Sequence, residues 1–232
     1  MPLGSLKRHV RDLPVIGPPL RQGWSRFDRW RFRSSQDYWD QRYRHGGTSG
    51  SGSSGHLARF KAGVLDAFVA EHDIAPVVEW GGGDGEQLAL AHYPSYVGVD
   101  VSPTAIAACR ARFADDPTKA FTTVASTVPQ CELALSLDVT YHLVEDEVFA
   151  SYIRDVFASA TRFVILYTSD TGRFEPAHEP VPHIRHRPVG AHVAAHFPEW
   201  SLRERIANAH PYDGDPETSS FADFSVYERA SS

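Results

Sequence analysis

The sequence predicts an α/β fold: a mostly parallel sheet of about seven strands, helices on both faces, and an antiparallel strand pair at the C-terminal end. Three observations predict it. From residue 57 onward, short apolar runs alternate with runs of helical period. The apolar runs, such as "RFVILYTSD", are nearly continuous, as in strands buried on both faces. The last two runs, "EWSLRERIA" and "FADFSVYER", have no helix between them, so they are expected to pair antiparallel.

The elements follow in order. "SSQDYWDQRYRH" reads as a short helix with a Ser N-cap and an acid in its first turn. A Gly/Ser/Thr stretch, "GGTSGSGSSG", follows. "HLARFKAGVLDAFVAEHD" then places Leu57, Phe60, Val64, Leu65, Phe68 and Val69 at helical spacing. "APVVEW" is a strand, "GEQLALAHY" a helix and "SYVGVDV" a strand. "SPTAIAACRARFADD" is a helix with Ser102 at the N-cap and Pro103 at its first position. "KAFTTVA" and "CELALSLDV" are strands, "EDEVFASYIRDVFASA" a helix, and "GAHVAAHF" a short helix after a His-rich insert.

A hydrophobic fraction of 42% over 232 residues suffices for one sizeable core. No run of 18 apolar residues predicts a membrane span, and the N-terminus lacks the apolar core of a secretory signal. Cys109 and Cys131 form no metal or redox motif and read as reduced thiols of a cytoplasmic protein. The net charge of −6 argues against a nucleic-acid partner. Residues 1–35 form a basic, aromatic arm with Trp24, Phe27, Trp30 and Phe32; residues 36–232 form the main domain. The arm suits an anionic substrate, a membrane surface, the acidic body itself or a second subunit, the last making a homodimer.

In "VVEWGGGDGEQL" a buried strand runs into Gly81, Gly82, Gly83, Asp84 and Gly85 and then into the predicted helix. Glycines let a ligand approach the backbone, and a helix N-terminus behind them favours polar or anionic groups. One strand later Asp100 ends "YVGVD", where a carboxylate can accept both hydroxyls of a ribose. Strand, glycine turn, helix, strand and terminal acid together point to a nucleoside-type cofactor on a Rossmann-like sheet. The spacing Glu79, Gly81, Gly83, Gly85 departs from a dinucleotide fingerprint, whose third glycine would fall on Glu86.

This acid-x-G-x-G-x-G pattern with Asp100 resembles the first motif of class I S-adenosylmethionine-dependent methyltransferases. The resemblance covers residues 36–230. It implies S-adenosyl-L-methionine as cofactor, held by Glu79, Gly81, Gly83, Gly85, Asp100, Val101, Ser126 and Leu137. The glycines would line its methionine part, Asp100 its ribose, and Val101 and Ser126 its adenine.

Methyl transfer requires an aligned acceptor and a group to take its proton. After the fourth strand, "LALSLDVTYHLVED" supplies Asp138 and His142, the candidate catalytic pair. His142 titrates near neutrality, and Asp138 would orient it or the acceptor. The insert at 171–190 carries His178, His183, Arg185, His186 and Arg187 and would wall the acceptor site. With Asp138 or Asp170, its histidines also offer ligands for a divalent metal such as magnesium, without tight ligand spacing. "LDVTYH" stands where the amino-methylating nucleic-acid branch has an Asn/Asp-Pro-Pro-aromatic motif, which counts against DNA bases as acceptors.

Residues 36–56 read as a lid over the cofactor, with Trp39, Tyr43 and Ser53 facing it. This segment and "LDVTYHLVED" together resemble small methyltransferases that accompany glycosyltransferases, notably the actinobacterial sugar O-methyltransferases of methylmannose polysaccharide synthesis. That resemblance implies a mannoside hydroxyl as acceptor and His142 as general base. The alternatives are a small-metabolite carboxylate or amine as acceptor, and a cofactor-binding module without catalysis.

Overall fold

Val77, Val78, Leu133, Ala134, Leu135, Val164 and Leu166 are all inaccessible to solvent, so the strands that carry them are covered on both faces. The structure, a computed structural model, describes residues 32–124, 127–171 and 182–230. The seven strands are β1 (Pro76–Trp80), β2 (Ser95–Asp100), β3 (Lys119–Thr123), β4 (Cys131–Leu137), β5 (Ala160–Thr168), β6 (Trp200–Ile206) and β7 (Asp223–Arg229). They form one sheet in the order β3-β2-β1-β4-β5-β7-β6. The first five strands in that order are parallel, and β7 runs antiparallel to both β5 and β6. The predicted antiparallel pair is therefore present, with β7 inserted beside β5.

The described helices are α1 (Ser35–Arg44), α2 (Gly55–Glu71), α3 (Pro103–Arg112), α4 (Asp146–Ala158) and α5 (Val189–His196). One face of the sheet packs against α2 through Leu65, Phe68 and Val69 and against α3 through Ile106 and Cys109. The other packs against α4 through Phe149, Ile153, Val156 and Phe157 and against α5 through Val189 and Val193. Ser34 caps α1 by accepting from the Asp37 amide (3.1 Å), and Ser102 caps α3 by accepting from the Ala105 amide (3.3 Å). Both cysteines are buried free thiols. No described helix is long and apolar enough to cross a membrane.

The helix expected over "GEQLALAHY" does not form. That segment is a single 3-10 turn, Leu88–Leu90. Two tertiary demands override its helical composition. Gln87 turns inward to donate to the Ala58 carbonyl of α2 (3.0 Å), and Tyr93 is buried immediately before Pro94, which precedes the start of β2 at Ser95. No α-helix N-terminus therefore stands behind the glycine turn.

The sheet order fixes where a site can lie. The chain runs outward from β1 to β2 to β3, then returns to β4 on the other side of β1. A crevice opens where the order reverses, at the carboxyl ends of β1 and β4. Register aligns Trp80 with Val99 and Leu137 with Tyr167, which brings Gly81, Asp100 and Asp138 to that same end.

Candidate active site

Two cavities meet at this crevice. The first, about 960 Å³ including its mouth, is bounded by Gly81, Asp100, Val101 and Leu137 from the strand ends and by Trp39, Tyr43, Ser49 and Ser53 from the N-terminal segment. Val124, Val139, Leu143 and Val148 give part of it an apolar wall. The second, about 850 Å³, is bounded by Tyr38, Arg42, Tyr141, His183, Ile184 and Phe221 among others. Trp39, Ser49, Ser53, Asp138 and His142 border both.

Asp100 is buried and accepts from the amides of Gly83 (3.0 Å) and Ser102 (2.9 Å). Burial raises its carboxyl pKa, and these amide bonds oppose the rise. Each oxygen keeps a lone-pair direction for a further donor. Of the three patterned glycines, all with positive φ, only Gly81 borders the cavity. Gly83 and Gly85 do not, and their missing side chains have other causes. A Cβ on Gly83 would overlap the Ser49 and Tyr43 hydroxyls, and one on Gly85 would press on Phe113 (2.9 Å) and Cys109 (3.1 Å). Gly83 thus admits the N-terminal segment, while Gly85 admits α3. Glu79 does not border the cavity either: it is buried and accepts from the Tyr96 hydroxyl (2.8 Å). Ser126, His178 and the aromatic arm residues Trp24, Phe27 and Trp30 lie outside the described residues.

The N-terminal segment closes over the glycine turn through named bonds. Ser35 donates through its amide and hydroxyl to Glu145 (2.9 and 2.6 Å). Ser102 donates to Asp40 (2.8 Å). Ser49 donates through its amide and hydroxyl to Asp84 (3.1 and 2.9 Å), and its Oγ lies 3.0 Å from the Tyr43 hydroxyl. Further on, the Ser51 hydroxyl donates to the Pro216 carbonyl (2.7 Å).

Asp138 has φ 59°, a left-handed conformation that Asp tolerates better than most residues. Its Oδ2 accepts from Lys61 Nζ at 2.6 Å and its Oδ1 from the Tyr141 hydroxyl at 2.8 Å. Lys61 is 1% exposed. Asp138 does not hydrogen-bond His142, so of the two orienting roles expected for it, that toward His142 is not formed here, and that toward the acceptor stays open. His142 Nδ1 instead lies 3.1 Å from the His183 carbonyl. A carbonyl only accepts, so Nδ1 carries the proton and Nε2 presents the lone pair. Burial pushes the imidazole pKa down to about 4, which keeps it neutral at pH 7. Its ring is met edge-on by Trp39 (4.8 Å) and lies parallel to His183 (5.9 Å), which in turn stacks on Tyr38 (4.4 Å).

Among the described residues, no group of three or more His, Cys, Asp or Glu is placed to hold an ion. Asp138 is taken by Lys61, and Asp170 faces Arg205 (3.6 Å). Arg185 and Arg187 both pair with Asp146 (2.9 Å each), fastening the insert to the start of α4. His186 Nδ1 lies 2.6 Å from the Ser169 hydroxyl.

Solved structures share this architecture. The CcbJ methyltransferase from Streptomyces caelestis is 16% identical with TM-score 0.61, over 86% of this chain and 100% of that one. Magnesium protoporphyrin IX methyltransferase from Synechocystis PCC 6803, with bound SAH, is 15% identical with TM-score 0.59, over 84% and 98%. The N-methyltransferase NodS from Bradyrhizobium japonicum WM9 is 13% identical with TM-score 0.55, over 76% and 98%. The fold is that of S-adenosylmethionine-dependent methyltransferases. At these identities the likeness is one of fold. No family model and no curated protein sequence matches the chain.

Several residues that shape this methyltransferase-fold site escape a linear reading. Lys61 left a usable signal, because it occupies the apolar stripe of α2 between Leu57 and Leu65 at four-residue spacing. Ser49, Arg42 and Tyr141 left none; each becomes special only through what folds against it.

Proposed function

We propose that the protein is an S-adenosylmethionine-dependent O-methyltransferase acting on a hydroxyl of a polar small molecule, with a mannoside or oligomannoside in polysaccharide synthesis as its acceptor. The observation that carries the reading is the meeting of two cavities at His142, a neutral imidazole with its lone pair on Nε2. The first cavity suits the cofactor. Asp100 offers carboxylate lone pairs to ribose hydroxyls, Val101 and Val124 offer flat apolar contact to adenine, and Gly81 leaves room beside the backbone. When bound, the cofactor supplies an activated sulfonium methyl.

The chain's own task is then alignment and proton removal. With the cofactor bound to supply the methyl group, His142 Nε2 would take the acceptor's hydroxyl proton. Asp138, paired with Lys61 at 2.6 Å, retains lone pairs for a ligand donor at the junction of the cavities. Segment 36–56 acts as a lid that keeps water out. The sugar assignment rests on the sequence resemblance. A cytoplasmic location and a homodimer through the N-terminal arm belong to the same reading.

One observation favours a second reading. A pKa of about 4 limits the basicity of His142, and a carboxylate acceptor would need no base. An acceptor screen with labelled cofactor separates the two, covering mannosides, other sugars and small acids. A sugar product whose formation collapses in His142→Ala supports the hydroxyl reading. Methyl-ester formation indifferent to that substitution supports the carboxylate.

A further inference from the structure

Arg42 stands on the wall of the second cavity and has no anionic partner among the described residues. It sits on α1, and the glycine-rich loop wraps it. The Gly47 amide donates to the Arg42 carbonyl (2.9 Å), and a Cβ on Gly47 would meet Arg42 Cγ at 2.8 Å. Arg42 Nε donates to the Thr48 carbonyl (2.6 Å), and the guanidinium carbon lies 5.5 Å from the Trp39 ring centroid. One nitrogen and one face are thereby fixed, and both terminal nitrogens are left without a partner among the described residues.

The nearby acids are committed elsewhere. Asp40 pairs with Arg44 (2.8 Å) and accepts from Ser102, and Asp84 is held by Ser49. Asp138, the one carboxylate bordering the second cavity among the described residues, is matched by Lys61. His142 and His183 on the same wall stay neutral at pH 7, and the Arg42 cation helps keep them so. Among the described residues, the second cavity therefore presents the Arg42 guanidinium with no carboxylate left to match it, in a fork that fits an oxyanion.

We propose that Arg42 forms an oxyanion subsite in the second cavity, and that the acceptor carries a carboxylate or phosphate besides the group that is methylated. This rests on the reading of the second cavity as the acceptor site, and it narrows the substrate class to acidic molecules with a flat or cyclic face for Tyr38 and His183. A neutral mannoside would leave the fork empty, whereas an acidic or phosphorylated sugar would fill it.

The test uses the full chain saturated with S-adenosylhomocysteine. The Trp39 indole N–H, assigned through Trp39→Phe, is followed by NMR during titration with inorganic phosphate and, separately, acetate at constant ionic strength. A saturable shift with at least one anion is expected, lost in Arg42→Gln and retained in weakened form in Arg42→Lys, with unchanged S-adenosylhomocysteine affinity in both variants. In turnover, mannose 6-phosphate is expected to exceed mannose at least ~10-fold in kcat/KM, with the advantage lost in Arg42→Gln. An anion response that persists in Arg42→Gln, or no saturable response at all, overturns the subsite. Failure to bind S-adenosylhomocysteine overturns the methyltransferase reading instead, so the two failures are distinguishable.

Discussion

Lys61 Nζ lies 2.6 Å from Asp138 Oδ2, joining a buried lysine of α2 to a left-handed aspartate just past β4. A buried cation without its partner is costly, so each half of this pair depends on the other. Asp138→Ala is expected to destabilise the fold by about 3–5 kcal/mol. The double variant Lys61→Met, Asp138→Ala should be less destabilised than the sum of its singles. Urea unfolding of the four species gives the coupling energy. Additive singles would mean that the ion pair does not hold this corner of the site together.

His142 and His183 set a pH dependence with a definite sign. Burial lowers their pKa values to about 4 and about 3, from about 6.5 in an unfolded chain. The unfolded chain takes up these protons first, so the stabilisation is complete above pH 6.5 and is lost as pH falls from there toward 4. Asp138 opposes the shift at His142, and Arg42 reinforces it at both rings. Urea midpoints at pH 8 and pH 5 should differ more in the wild type than in the His142→Phe, His183→Phe double variant. Equal pH sensitivity in both proteins would assign the acid lability to other groups.

The segment before α2 is fastened to the glycine turn chiefly through Ser49 and Asp84. Removing the hydroxyl in Ser49→Ala deletes the bond to Asp84 and the contact with Tyr43, each worth about 0.5–1.5 kcal/mol. Proteolysis between Gly46 and Gly55 should accelerate by roughly 3–30-fold, and S-adenosylhomocysteine should slow it in the wild type. Gly83→Ala should accelerate it as well, because its methyl group occupies the space of the Ser49 hydroxyl. Cleavage indifferent to both substitutions would make the segment a passive linker.

Proton removal gives the catalytic prediction. His142→Gln should keep S-adenosylhomocysteine affinity within about twofold and lower methyl transfer to a hydroxyl by about 10²–10⁴-fold. Because the imidazole stays neutral down to about pH 4, the acid limb of the wild-type rate should not fall near pH 6.5.

The parts of the fold that were legible rest on local chemistry. Ser102–Pro103 marks the start of α3, and the apolar run around Val164–Leu166 marks a central strand, whatever surrounds them. The "GEQLALAHY" segment was misread because Gln87 and Tyr93 answer to distant partners, and no window of nine residues contains those partners. That Asp100 and His142 stand at the crevice was legible from their places after strands. The roles of Gly83 and Gly85 were not, since what a missing side chain makes room for depends on Ser49 and Phe113, brought there only by folding. The Lys61–Asp138 pair spans 77 residues of sequence, and only the lysine's place in an apolar stripe hinted at it.

The central claim is that the crevice between β1 and β4 binds S-adenosylmethionine through Asp100. Calorimetric titration of S-adenosylhomocysteine into the wild type and Asp100→Ala tests it most directly, with circular dichroism to show that both are folded. Saturable one-site binding to the wild type is expected, and at least ~10-fold weaker binding to the variant, from lost charge-assisted hydrogen bonds. No binding to the wild type, or equal binding to a folded Asp100→Ala, would contradict it.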